Sequence, residues 1–216
     1  MREGARLVAL GTPDRADRAS RLASISTSMG IPCSIASSQR DEEFDSFDQG
    51  AIDWKLQMRA AHWMVNSSSM TTFGQSPSMA WSASMTFAEL EGCRNVMIVD
   101  LPPDREMISK SWGRVIGKVR QIHVLFFTED ATEAISGIEK IAKEELLSDV
   151  RKRTMIPIVC GYSENDNTAR VSHALGSFEV KMTDDEGGLE WLAGFLNALP
   201  LSGPGINGLR AAASWK

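Results

Sequence analysis

Four short apolar runs constrain what this chain can fold into: residues 7–10, 96–99, 122–127 and 155–160. Each is bounded by polar or turn residues, the pattern of strands buried on both faces of a parallel sheet. Amphipathic stretches lie between and after them. Residues 130–150 place Ile135, Ile138, Ile141, Leu146 and Val150 at helical spacing, so one helix is expected there. Residues 168–175 read as a short helix stopped by Gly176, and residues 189–196 open a last helix that ends before Pro200. Residues 178–182 alternate and read as a further, less buried strand. Strands alternating with helices mean an α/β fold with a mainly parallel sheet. In such sheets ligands sit at the carboxyl ends of the strands, here Gly11, Asp100, Thr128 and Gly161.

One segment breaks the rhythm. Residues 41–48 are acidic, residues 52–65 look helical, and residues 66–84 are rich in Ser and Met without a clear period. The last of these reads as an extended segment. Residues 85–90, a turn at Glu91-Gly92 and residues 96–99 then read as an antiparallel hairpin.

The 216 residues fit one domain, and a net charge of −5 excludes the basic face that nucleic-acid binding requires. The basic clusters at 114–120 and 151–153 read as solvated helix faces or ends. Cys33, Cys93 and Cys160 have no metal-ligand spacing and form no disulfide framework, which points to an intracellular, cytoplasmic chain, with an organelle or cytoskeletal assembly as the other setting. No apolar run reaches the ~18 to 20 residues of a membrane span, and no lipidation motif is present, so neither membrane insertion nor a lipid anchor is expected. His62, His123 and His173 are scattered, and none of the motifs G-x-S-x-G, H-E-x-x-H or C-x-x-C occurs.

The stretch GTPDRADRAS, from Gly11 to Ser20, follows the first apolar run and precedes a helical segment, the outline of a phosphate-binding loop. With Asp100-Leu101-Pro102-Pro103-Asp104 at the end of a strand, Ser111-Trp112 beyond it, Gly161-Tyr162-Ser163-Glu164 after the fourth run, and Thr183 opening a loop into Leu189-Glu190-Trp191-Leu192, the order resembles the small GTPases. The Arf-like branch is the one it is most similar to. The resemblance implies a three-layer P-loop fold with a mainly parallel sheet, one antiparallel hairpin strand and a long insertion in the switch region. Residues 1–200 would form one domain, with the insertion at about 35–84, and 201–216 a C-terminal extension.

It also implies a spent site. The motif G-x-x-x-x-G-K-[ST] needs Gly, Lys and Ser or Thr where Ala16, Asp17 and Arg18 stand. An anion at the lysine position beside a polyanion is repelled by about 4 kcal/mol at ~4 Å and an effective dielectric near 20. Pro103 replaces the glycine whose amide would sense a terminal phosphate, and proline has no N–H. Gly161 lacks the side-chain amide of a base-contacting Asn, and Glu164 is a methylene longer than the aspartate that selects guanine. The expectation is therefore a catalytically inactive Arf-like pseudo-GTPase with no cofactor, a subunit of a larger hetero-oligomeric protein assembly. Trp54, Trp63, Phe73 and Trp81, with the neighbouring methionines, are its candidate partner-binding residues. The alternatives are a divergent GTP- and Mg²⁺-binding enzyme with a phosphate site rebuilt from Arg15, Arg18 and Asp100, and an unrelated α/β domain whose order of elements mimics the family.

Overall fold

The structure, a computed structural model, describes residues 4–12, 17–37, 47–182, 187–203 and 205–215. Its strands are β1 (Leu7–Leu10), β2 (Cys33–Ala36), β3 (Trp63–Ser67), β4 (Arg94–Val99), β5 (Ile122–Phe127), β6 (Ile158–Ser163), β7 (Thr168–His173) and β8 (Gly176–Lys181). They form one sheet in the order β2-β1-β3-β4-β5-β6-β7-β8. The first six run parallel, and β7 and β8 add an antiparallel hairpin at one edge.

The helices are α1 (Arg18–Ser28), α2 (Trp54–Met58), α3 (Gln75–Leu90), α4 (Ile108–Ile116), α5 (Glu129–Glu139), α6 (Leu146–Thr154), α7 (Gly188–Ala198) and α8 (Gly205–Ala213). The period-2 alternation of each strand divides the core into two layers. Val8, Leu10, Met64, Met97, Leu125 and Phe127 pack with residues of α2 to α6. Leu7, Ala9, Val65, Ile98, Val124 and Phe126 pack with α1, α7 and α8 on the other face. Every central strand is thus covered twice, which is why the runs are continuously apolar rather than alternating.

Four expectations are corrected. Residues 85–90 are not a hairpin strand but the last turns of α3. That helix opens with Pro77 in its first turn and buries Ser78, Ala80, Trp81, Ser84, Met85 and Ala88 at helical spacing. Beside Trp81 and Met85 its buried stripe holds small or hydroxylated residues, Ser78, Ala80, Ser84 and Ala88, so the hydrophobic contrast that reveals a helix is weak. Residues 52–65 hold the short α2 and then all but the end of β3, not one helix. Residues 168–175 are strand β7 and its turn; Ala169 and Val171 face the core, and Gly176, at φ +129°, closes the hairpin. The helix expected over 130–150 is two: Lys140, in the left-handed region at φ 57°, ends α5 before α6 begins.

α8 is docked through tryptophans. Trp191 of α7 is fully buried and donates Nε1–H to the Ala213 carbonyl (3.0 Å), and Trp215 donates its own to the Trp191 carbonyl (3.2 Å). Trp63 ties the sheet to α7 by donating Nε1–H to the Leu196 carbonyl (2.8 Å).

Candidate functional site

β1 pairs with β2 on one side and β3 on the other, so the chain reverses its direction of winding between β1 and β3. A crevice at the carboxyl end of such a switch point is where open α/β sheets place ligands. Gly11 and Thr12 follow β1 there, Ser67, Ser68 and Ser69 end β3, and Asp100 ends β4.

Asp100 is buried among donors. Its Oδ1 accepts from the Ser68 hydroxyl (3.0 Å) and the Ser69 amide (2.9 Å), and its Oδ2 accepts from the Ser69 hydroxyl (2.7 Å). Ser111 and Thr71 both donate to the Ser68 carbonyl, which locks the Ser68–Thr72 3-10 turn in place. Burial pushes the Asp100 carboxyl up, against the pull of the Ser69 and Ser68 hydrogen bonds and the positive charge of Arg18.

Asp17 caps α1, accepting from the Ser20 amide at 2.9 Å through Oδ1, while its buried Oδ2 has no hydrogen-bond partner. Burial is the main reason its carboxyl is pushed up to about 6; the Ser20 contacts lower it and the charge of Asp100 raises it further. Gly11 has no side chain because Asp17 and Ser20 fill the space a Cβ would take. Thr12 is buried with its hydroxyl unpartnered, and Ala19 N–H donates to the Ser67 hydroxyl (2.9 Å), so the start of α1 is fastened to the end of β3.

Arg18 reaches along the same edge into a cleft of about 180 Å³ that it shares with Thr128, Glu129, Tyr162, Glu164, Gly188 and Leu189. Here the N-terminus of α7 meets the ends of β5 and β6. Gly188 N–H donates to Glu164 Oε1 at 3.1 Å, so a carboxylate already lies on this helix start. Gly188 is tightly packed, since a Cβ there would press on Tyr162 and Phe126, whereas one on Gly187 would meet only the movable end of Glu190. A second cleft of about 210 Å³ adjoins the first through Glu129 and Tyr162 and carries Lys143, Gly161, Ser163, Asn165 and Arg170. Glu129 links the two, accepting from Ser163 Oγ, Glu164 N and Asn165 Nδ2, with Lys143 Nζ at 3.8 Å.

The expected positions are therefore dispersed along one edge rather than gathered around one loop. Gly11, Asp17 and Asp100 stand at the switch point, Arg18 and Glu164 in the first cleft, and Gly161 in the second, inside β6 rather than after it. Pro103 is exposed in the connection after β4, where Asp104 caps a 3-10 turn. Arg15, Ala16 and Thr183 lie outside the described residues. Trp54, Trp63 and Trp81 are buried, and Phe73 packs against the core; Leu56, Phe87 and Leu90 are the exposed apolar residues near them. Sequence reasoning missed Thr12, the Ser67 to Ser69 run, Glu129 and Lys143. A Thr-Glu-Asp string directly after an apolar run was a legible signal of a helix start at a strand end. The serine run was read as an extended segment, and nothing local marks it as a carboxylate cradle.

Among the described residues no group of three or more His, Cys, Asp or Glu is placed to hold a metal ion, and no helix is long and apolar enough to cross a membrane.

No protein-family model matches the sequence, and no curated protein matches it. Solved structures do share its fold. A PfkB protein from Polaromonas sp. JS666 is 11% identical with a TM-score of 0.70, over 98% of this chain and 94% of that one. A fructokinase double mutant from Vibrio cholerae O395, solved with fructose, ADP and potassium ion, is 11% identical with a TM-score of 0.67, over 99% of this chain and 88% of that one. A 2-dehydro-3-deoxygluconokinase from Thermotoga maritima is 13% identical with a TM-score of 0.58, over 92% and 87%. The fold is that of these kinases and not of a small GTPase. The Arf-like pseudo-GTPase reading is thereby corrected, and with it the scaffold role and the non-enzyme expectation, which rested on GTPase motifs this fold does not use. The α/β class and the mainly parallel sheet were right, but doubly covered parallel sheets of different families share them.

Proposed function

We propose that this chain is a sugar-kinase-like phosphotransferase: it binds a nucleotide across the ends of β5 and β6 and transfers a phosphoryl group to a hydroxyl of a small polyhydroxylated molecule seated at the β1–β3 switch point. The observation that carries this reading is the start of α7, where an amide flanked by glycine holds a carboxylate beside Arg18 at the carboxyl edge of the sheet. A helix start that accepts one anion accepts another, and phosphate oxygens suit it better than a single carboxylate does. The fold likeness to a fructokinase solved with fructose and ADP supports the same reading.

The residues fit the two substrates in different ways. Arg18 and Lys143 supply positive charge on either side of the cleft, and Thr128, Thr132 and Asn165 supply neutral hydrogen-bonding groups. Among the described residues no cluster of three or more His, Cys, Asp or Glu forms a metal cage. A divalent cation carried by the phosphates and touched by one or two carboxylates, with Glu129 and Asp130 at hand in the cleft, fits the donor set. Glu164 is exposed and turns out to release the Gly188 amide.

α7 contributes Gly188 and Leu189 to the cleft wall, and Glu190, the carboxylate of its first turn, is not among the described lining residues, so the proton acceptor comes from another element. Asp17 fills that role: it has an unbonded oxygen and a carboxyl near pH 6, ionised at neutral pH yet basic enough to take a proton. The acceptor oxygen forms a bond to the terminal phosphorus, the bond from that phosphorus to the bridging oxygen breaks, the nucleoside diphosphate leaves, and the acceptor's proton passes to Asp17.

The test is transfer of label from γ-labelled ATP with Mg²⁺ to a panel of pentoses, hexoses and sugar acids. Labelled product is expected, with Asp17→Asn lowering kcat about a hundredfold or more. No labelled product from any acceptor, together with no nucleotide binding, would overturn the reading.

A further inference from the structure

A groove of about 600 Å³ lies between α6 and the β7–β8 hairpin, larger than either cleft at the carboxyl edge. It runs along the hairpin toward His173, which pairs with Ile158, the first residue of β6. It therefore extends from the second carboxyl-edge cleft, with which it shares Glu144, Leu147 and Arg170, toward the amino edge of the sheet. Ser148, Arg151 and Lys152 line it from α6, and Arg170, Ser172 and Ser177 line it from the hairpin.

The three cations are not equivalent. Arg170 is neutralised by Glu179 (2.8 Å) and Asp166 (3.0 Å). Outside the groove, the neighbouring Arg153 has two carboxylates, Asp149 and Glu139. Arg151 has none. Its Nε–H is buried with no hydrogen-bond partner, and its one polar contact is Nη1 to the Met155 sulfur at 3.8 Å. Half-exposed on the groove wall and without a carboxylate among the described residues, the Arg151 guanidinium keeps its charge uncompensated and can meet an acceptor from outside the chain. Lys152, exposed on the rim, adds charge, and on the opposite wall Ser177 donates its hydroxyl to Ser172 at 3.1 Å, which leaves the Ser172 O–H as a donor. Planar N–H groups on one side, hydroxyls on the other and an unneutralised pair of cations match a tetrahedral oxyanion.

We propose that this groove is a second ligand site, binding a phosphate group, free or on a small phosphomonoester, with Arg151 as its principal donor. The site stands independently of the kinase reading, since it shares no residue with the start of α7 or the switch point.

The experiment titrates inorganic phosphate into the full ¹⁵N-labelled chain and follows the arginine Nε–H signals, with chloride at matched ionic strength as control. A saturable shift of the Arg151 signal with phosphate and not with chloride is expected, followed by the same titration with glycerol 3-phosphate to show whether an ester is accepted. Arg151→Ala should weaken binding about tenfold or more, Arg151→Lys should recover part of it, and Lys143→Ala in the carboxyl-edge cleft should leave it unchanged. Loss of binding on Lys143→Ala but not on Arg151→Ala would assign the phosphate to the other site. That result, an equal effect of chloride, or no saturable shift would overturn the proposal. Unchanged melting of the Arg151 variants separates loss of the site from loss of the fold.

Discussion

Asp17 carries two roles at once, and its electrostatics expose the tension between them. As the cap of α1 it satisfies the Ser20 amide, which favours the ionised form. Burial beside Asp100 disfavours that form more strongly, and the net result is a carboxyl raised from 3.8 to about 6. The folded chain thus holds this proton more tightly than the unfolded chain. Its contribution to stability is highest below about pH 4, falls as the pH rises through about 6, and is level beyond. Asp17→Asn keeps a capping side chain and removes the charge, so the variant is expected to be more stable at pH 8, by as much as about 3 kcal/mol, with the advantage vanishing near pH 4. Urea unfolding of both proteins across that range checks it. Asp100, also raised, titrates in both and largely drops out of the comparison. Asp17 and Arg18 were conspicuous in the sequence, but as departures from a motif. A capped helix whose first arginine enters a cleft needs no such motif.

At the scale of elements, the strands of the parallel region were legible because each is buried on both faces and reads as an unbroken apolar run. Elements whose buried stripe is small or short were not. α3 buries Ser78, Ser84 and Ala88, and β7 buries only Ala169 and Val171 on one face, so neither carries a period strong enough to declare itself. The α7–α8 contact is a further case. Gly194 lies under the Trp215 indole, and a Cβ there would fall inside the ring. Gly194→Ala is therefore expected to expel Trp215, break its hydrogen bond to the Trp191 carbonyl and lower stability by about 1 to 3 kcal/mol, a fall in Tm of several degrees. A red shift of tryptophan emission and a lower melting point would report it. A variant with unaltered emission and Tm would mean that α8 is not held by this contact.

For the whole molecule, function depends on distant segments meeting at one edge of the sheet. Residues of the first turn of α1, the β5–α5 junction, the end of β6 and the start of α7 line one cleft, although about 170 residues separate Arg18 from Gly188. On the proposed function, nucleotide binding across that cleft would stabilise the fold as a unit. ATP with Mg²⁺ at ~100 times its dissociation constant should add about 2.7 kcal/mol, several degrees in Tm at this chain length. Glu164→Gln, which weakens the internal carboxylate's hold on the Gly188 amide, should enlarge that shift at a fixed sub-saturating nucleotide concentration. A smaller shift in the variant would mean that Glu164 helps to hold the nucleotide rather than competing with it.

By itself the sequence determined the α/β class, the parallel core and the edge at which chemistry must lie, because burial on both faces and strand polarity are written locally in each run. It also singled out Asp17, Arg18, Asp100, Gly161 and Glu164, all of which stand along that edge. The tertiary structure alone decided which fold the strands assemble into, since order along the sheet depends on contacts between segments far apart in the chain. It also decided that Asp100 lies in a serine cradle and that Glu164 accepts from the Gly188 amide at the start of α7. Hydrogen-bond partners are chosen by proximity in space, and no local pattern records them.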